Sequence, residues 1–394
     1  MSYQTRPQYP KSEETYDLAN STRYSHVVDG GQPYAAARFS RFNPLGWRRR
    51  TQIIAGVAVV VVIIAVIVGA YEGWKANRYP DYSALNYSLK DTYSGEKFFD
   101  NFYYWSAADP TAGFVVGEYI SRVPFDLTPI RYIAEANAKW SNLTYATSES
   151  AIIKVDTSYP NTVGGRNSVR IQSNNTYNDG LFIFDILHTP YGCGTWPALW
   201  LSDSSNWPTN GEIDIVEAVN NGTWGNSMTL HTTDDCSMSV KRKESGSVTS
   251  TNCYNGTNSN EGCGVSGTTA SYGPEFNQNG GGVYATELRD AGIRIWWFPR
   301  NSIPSDITNG SPDPSKWGEA TADFPSTDCS ISSHFKNQSI IANIDLCGSL
   351  AGSTARYTDQ AECPSNCTSY VAQNPSAFTE AYWEFKSFKV YQAS

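Results

Sequence analysis

Glu212, Asp214 and Glu217 place three carboxylates within the run Asn210-Gly211-Glu212-Ile213-Asp214-Ile215-Val216-Glu217, with only aliphatic residues between them. Side chains alternate across a strand, so Glu212 and Asp214 share a face while Glu217, an odd step further, points away. One β-bulge between Asp214 and Glu217 supplies the missing step and returns Glu217 to that face. Ile213 and one or both of Ile215 and Val216 then pack behind. The two glutamates stand four strand steps apart, about 13 Å between Cα atoms. Side chains leaning together close most of that gap. Carboxyl groups about 5–5.5 Å apart suit a double displacement at an acetal carbon, one acting as nucleophile and the other as acid and base. The plain alternative is the solvent face of an amphipathic strand, which these residues alone do not exclude.

The flanking sequence weighs against that alternative. Gly192-Cys193-Gly194-Thr195-Trp196-Pro197-Ala198-Leu199-Trp200-Leu201 and Trp207-Pro208 lie upstream, and Trp224 and Asn226-Ser227-Met228-Thr229-Leu230-His231-Thr232 lie downstream. Aromatic rings beside acids suit a sugar cleft, because a ring stacks on the apolar C–H face of a pyranose while carboxylates reach its hydroxyls. The run resembles the E-x-D-x-x-E signature of family 16 glycoside hydrolases. It looks most like their fungal laminarinase-type endo-β-1,3(4)-glucanases. Gly194–Trp200 (G-x-W-P-A-x-W) and Thr229–Thr232 (T-L-H-T) strengthen the likeness. It runs from Phe98-Phe99-Asp100-Asn101-Phe102 and Ala108-Asp109-Pro110-Thr111 to Tyr382–Tyr391.

The resemblance implies an all-β fold, a jelly-roll sandwich of two antiparallel sheets with the cleft on the concave face. It implies that Glu212 is the nucleophile, Glu217 the general acid/base, and Asp214 the carboxylate that tunes Glu212. Trp196 occupies the family's G-x-W-P slot and is expected to stack on sugar. Trp207 and Trp224 are further substrate-binding expectations, Trp224 toward the leaving-group side. His231 lies on the expected neighbouring strand, where it supports the acids, contacts sugar or makes a structural hydrogen bond. Trp200 suits the core equally well. Trp296 and Trp297 point to opposite faces, so at most one lines the cleft. Asn343 and Asp345 are left open.

The implied reaction is retaining endo-hydrolysis of β-1,3- or mixed β-1,3/1,4-glucan. The rivals are a wall-glucan transglycosylase and a noncatalytic glucan-binding protein. The second has no need for crowded acids. Galactan or agarose is a weaker choice of substrate. No metal or cofactor is expected at the site, and a structural Ca²⁺ held by backbone and Asp oxygens is compatible with the sequence. The protein is expected to be a monomer.

The chain has 394 residues and a formal net charge of −9. Basic residues are not concentrated in the folded part, which argues against nucleic-acid binding through phosphates. All eight cysteines fall at or after Cys193, without paired CxxC units, which reads as disulfides in an oxidising compartment rather than a zinc site. Connectivity stays open. N-x-[ST] sequons at Asn86, Asn142, Asn174, Asn221, Asn255, Asn309, Asn337 and Asn366 agree with the secretory route.

Ile53–Ala70 contains only Ala, Gly, Val and Ile. As a helix it reaches about 27 Å, enough to cross a bilayer core. Arg38, Arg41 and Arg48–Arg50 precede it, which places the N-terminus in the cytoplasm. The expected organisation is therefore a disordered cytoplasmic tail over 1–50, a transmembrane signal-anchor over 51–71, a stalk over 72–90 and a catalytic domain over 91–394. The domain would be extracellular or lumenal on a single-pass type II anchor. Val68-Gly69-Ala70 resembles a small-residue cleavage site and leaves release as a rival. Strands are expected at Ser168–Ile171, Leu181–Leu187, Ile293–Phe298 and Ser339–Ile344, with a disulfide-tied loop over 256–282. Gly117–Arg131 interrupts the resemblance and is expected to be an insertion, or a retained intron in the coding sequence, and the least ordered part of the domain.

Overall fold

The computed structural model describes residues 47–106, 109, 111, 115–116, 132–162 and 164–394. Most of the expected 1–50 tail and all of the 117–131 insertion lie outside them. Arg49–Asn77 is one continuous α-helix, as its uninterrupted aliphatic run dictates. Its Arg49–Trp74 stretch is long and apolar enough to cross a membrane. The helix continues past the expected end at residue 71.

Beyond the helix, two eight-stranded antiparallel sheets form a jelly roll. The site-bearing sheet runs in the order Ser247–Val248, Cys263–Ser266, Ser227–His231, Glu212–Glu217, Thr195–Ser202, Gln338–Leu346, Arg170–Tyr177, Phe102–Tyr104. The outer sheet runs Ala322–Pro325, Gly292–Pro299, Gly282–Arg289, Gly180–His188, Tyr382–Ala393, Ala151–Lys154, Thr144–Ala146. Tyr87–Ser94 joins it by pairing with Ser387–Ala393. The stalk expectation is therefore corrected: Tyr87–Lys90 belong to the sheet. Their short, polar alternation gives no signal of a strand without its partner.

Alternation sorts the core. Ile213, Leu199, Leu201, Ile340 and Ile344 face inward from the site-bearing sheet and meet Phe182, Phe184, Phe385 and Phe388 from the outer one. The outer sheet is apolar on its other face too. Leu181, Ile183, Val283, Ala285 and Trp296 form a second cluster there, with Ile307 in it and Ile303 and Trp317 packed against it. Trp296 belongs to this outer cluster and Trp297 packs against the main core, so neither tryptophan lines the site. Sequence alternation separates two faces but does not say which sheet a strand joins.

The eight cysteines pair as Cys193–Cys363, Cys236–Cys329, Cys253–Cys263 and Cys347–Cys367. Cys253–Cys263 ties the 256–282 region as expected. That region is more ordered than a loop, because it holds the strand Cys263–Ser266 and the helix Gly273–Gln278.

Phe98 sits where the sheets meet. It is fully buried, with ring centroids 5.4 Å from Phe102, 5.9 Å from Phe385 and 5.0 Å from Phe388. Removing the ring leaves a cavity that these three aromatic neighbours cannot fill by rotamer change. Phe98→Ala is expected to lower stability by about 3–5 kcal/mol, read as a lower midpoint of urea unfolding at unchanged slope.

Candidate functional site

The carboxylates are aligned by register. Asp214 pairs with Thr229 and Glu217 with Ser227, so three steps on this strand face two on its neighbour. The same mismatch appears on the other side, where Asp214 pairs with Trp200 and Glu217 with Ala198. The extra residue is the expected bulge, and it returns Glu217 to the face of Glu212 and Asp214. Ile213, Ile215 and Val216 are all fully buried behind.

A bulge leaves backbone groups without ladder partners. Asn226, itself buried, takes up two of them. Its side-chain oxygen accepts from the Glu217 amide at 2.8 Å, and its nitrogen donates to the Ile215 carbonyl at 2.8 Å. At the other end the strand begins after Gly211, whose φ is 73°. A Cβ there would lie 2.5 Å from the His334 carbonyl oxygen, so only glycine fits the turn.

Each acid has its own environment. Asp214 is buried at 3 % exposure, whereas Glu212 and Glu217 are only half-buried. His231 Nε2 lies 3.3 Å from Asp214 Oδ2, and its Nδ1 bonds Asn260 Oδ1 at 3.1 Å. Burial alone would lower the imidazole's pKa. The hydrogen bond and charge of Asp214, with the charges of both glutamates, outweigh it and raise the pKa to about 9. Burial and the charges of Glu212 and Glu217 push Asp214 well above the usual carboxylate range.

Burial also raises Glu212, which the Glu217 charge reinforces. His231, Arg170 and a hydrogen bond from Trp207 oppose the rise. Burial raises Glu217, opposed first by the Trp196 hydrogen bond and then by the charges of His231 and Arg356. Ligand atoms of Glu212, Asp214 and His231 lie within 4.8 Å of one another, which would admit a cation.

The aromatic residues divide by role. Trp196 donates its indole N–H to Glu217 Oε1 at 2.7 Å. Trp207 lies close enough to Glu212 to favour its ionised form and stays 41 % exposed. Trp200 lies opposite Asp214 on the site face, with Leu199 and Leu201 turned to the core, so it is not a core residue. Trp224 is 63 % exposed in the connection that follows Glu217.

Arg170, Asn226 and Asn260 carried no mark in the sequence. The Arg170 guanidinium lies between the Trp105 and Trp200 rings, 4.6 and 4.8 Å from their centroids. A lone arginine between Val169 and Ile171 reads as an ordinary outward strand position, and only the sheet order brings it to the acids. Asn343 does lie on the site face, accepting from Trp200 Nε1 at 2.8 Å and donating to the Tyr132 hydroxyl at 3.1 Å. Asp345, opposite Trp196, accepts from Thr111 at 2.5 Å.

The arrangement offers carboxyl groups of different basicity on one rigid face, flanked by indoles. The chain as a whole is similar to known proteins. The family described as "XgeA-like, catalytic GH16 domain" matches residues 102–391. A "probable glycosidase" of Schizosaccharomyces pombe is 47 % identical over 80 % of this chain and 72 % of its own length. An endo-1,3(4)-beta-glucanase of Arthroderma benhamiae is 40 % identical over 78 % of this chain, which spans 65 % of that protein. Among solved structures, Laminarinase 16A of Phanerochaete chrysosporium, with two beta-glucans in its donor and acceptor sites, is 43 % identical. It superposes with a TM-score of 0.71 over 78 % of this chain and all of its own. An elongating family 16 beta-1,3-glucosyltransferase is 37 % identical with a TM-score of 0.70, again over 78 % of this chain and all of its own. The catalytic domain after the apolar helix thus makes this chain a member of glycoside hydrolase family 16.

Proposed function

We propose that this chain is a membrane-anchored endo-β-glucanase that cleaves β-1,3 or mixed β-1,3/1,4 linkages with retention. The observation that carries the reading is the pair of glutamates on one strand face, each in its own electrostatic setting, with the Trp196 indole donating to Glu217. Glu212 faces three groups that favour its ionised form, His231, Arg170 and Trp207. It attacks the anomeric carbon as the bond to the leaving oxygen breaks. Glu217, raised by burial, gives its proton to that oxygen. It then takes a proton from water, whose oxygen displaces Glu212 from the anomeric carbon and restores both carboxyls. Asp214 holds His231 and shapes the charge felt by Glu212. Trp196 and Trp207 position the glutamates as well as bordering the sugar path, and Trp224 offers an exposed ring on the leaving-group side.

A second reading is transglycosylation, in which a sugar hydroxyl replaces water in the second step. The likeness to an elongating glucosyltransferase supports it. Neither reaction needs a cofactor. The apolar helix, the preceding arginines and the four disulfides support a single-pass type II placement with the domain outside the cytoplasm.

Two experiments test the site. With a reduced β-1,3-gluco-oligosaccharide, the unaltered protein is expected to give shorter products over time. Glu212→Ser is expected to give none, a loss of at least about a thousandfold in kcat, the scale of losing a triad member. Products longer than the substrate would select transglycosylation. Unchanged substrate in both proteins would sink the catalytic reading.

His231 gives a pH test with a fixed sign. Its folded pKa, about 9, lies above an unfolded value near 6.5. Its contribution to stability is therefore full below about pH 6.5 and fades as pH rises toward about 9. His231→Gln should flatten unfolding stability across that window. It should also move the acid limb of kcat/KM to higher pH, because Glu212 loses a cation that favours its ionised form. An unmoved limb would remove His231 from the acid cluster's electrostatics.

A further inference from the structure

The ten residues that follow the apolar helix are bolted to the outer-sheet region by polar contacts, three of them partly buried. The Arg78 carbonyl accepts from Thr327 Oγ1 at 3.2 Å. The Tyr79 hydroxyl donates to Asp323 Oδ2 at 2.9 Å and the Tyr82 hydroxyl to Asp323 Oδ1 at 3.2 Å. Arg289 Nη1 donates to the Ser83 carbonyl at 3.0 Å. The Tyr87 hydroxyl donates to Glu287 Oε1 at 2.8 Å. Cations cover the rings: Lys243 lies 4.2 Å from the Tyr79 centroid and Arg294 4.1 Å from that of Tyr82.

The receiving surface is shaped for this segment. Asp323 and Glu287 are 0 % and 1 % exposed. A buried carboxylate needs its donors, and Asp323 draws two of them from Tyr79 and Tyr82. Gly292, at φ 154°, leaves open the space that the Tyr82 hydroxyl enters, and a Cβ there would collide with it. Burial and the Asp323 charge raise both hydroxyls, which stay protonated as donors. Flexible stalks do not carry such a set.

We infer that residues 78–87 form a clamp that is an integral part of the catalytic domain, leaving no free linker between it and the helix ending at Asn77. The consequence for placement rests on the membrane-anchor reading above: no flexible residue separates the domain from the helix that would cross the membrane. A processing cut that frees an intact enzyme then falls at or before Arg78, and one further along strips donors from Asp323 and Glu287.

The test uses the full chain in lipid nanodiscs with trypsin, following new N-termini by mass spectrometry. Cleavage after Arg78 is expected to be slow in the unaltered chain and at least tenfold faster in Tyr79→Phe/Tyr82→Phe. That variant should keep its activity on a soluble oligosaccharide, since neither residue touches the acids. Equal cleavage of both proteins overturns the clamp. Nitration of the unaltered chain by tetranitromethane guards against a misfolded variant. Tyr79, Tyr82 and Tyr87 should react at least tenfold more slowly than Tyr159, which is 57 % exposed, and equal rates overturn the clamp. Retention in carbonate-washed membranes tests the anchor separately, so its loss sinks the anchor reading and fast cleavage after Arg78 sinks the clamp.

Discussion

The site depends on one irregularity, the extra residue between Asp214 and Glu217. A regular strand would aim Glu217 into an aromatic core, where an acid has no partner. The bulge avoids this only because Asn226 takes up the Glu217 amide and the Ile215 carbonyl that the ladder releases. The Asn226 amide proton goes in turn to Ser271 Oγ at 2.9 Å, which ties the arrangement to the loop beyond Cys263–Ser266. Ile215 and Val216, buried side by side, fix the bulge from beneath. One asparagine thus converts a hydrophobic run into a face that carries three acids.

Much of this was legible in the residues, for a physical reason. Strand periodicity is strict, so three acids spaced two and three apart either disagree about their face or demand a bulge, and the aliphatic residues between them force the second choice. The strands at Leu181–Leu187 and Ile293–Phe298 were readable because their aliphatic and aromatic residues leave no other home. What could not be read was long-range. Arg170 and Asn343 reach the site through sheet order, and their strands lie far from Glu212 along the chain. Tyr87–Lys90 looked like linker because its partner, Ser387–Ala393, lies about three hundred residues away. Trp196 was expected to stack on sugar, and spacing does not reveal that its N–H donates to Glu217.

The outer sheet shows how the fold supports the site from a distance. Its apolar residues fill both faces, one against the site-bearing sheet and the other beneath Trp317 and its neighbours. A sheet covered on both sides bends little, and Ile213, Ile215 and Val216 of the strand carrying the acids share one core with its Phe182, Phe184 and Phe385. The Trp383 indole N–H adds a polar link, donating to the Asn343 carbonyl at 3.0 Å across the sandwich. Asn343 therefore connects the layer behind the site with Trp200 in front of it.

The sequons have unequal standing once the fold is known. An N-linked sugar attaches through the asparagine side-chain nitrogen. At Asn337 that nitrogen donates to Asp203 Oδ2 at 3.0 Å, and at Asn221 to the Ala361 carbonyl at 3.2 Å. A glycan at either position would displace a bond that the fold uses, and it would be added before that bond forms. Asn86, Asn142 and Asn174 are exposed, and a sugar there projects into solvent. The carbohydrate coat this protein can carry is thus edited by its own hydrogen bonds, and sugars belong on the positions where folding leaves the amide idle.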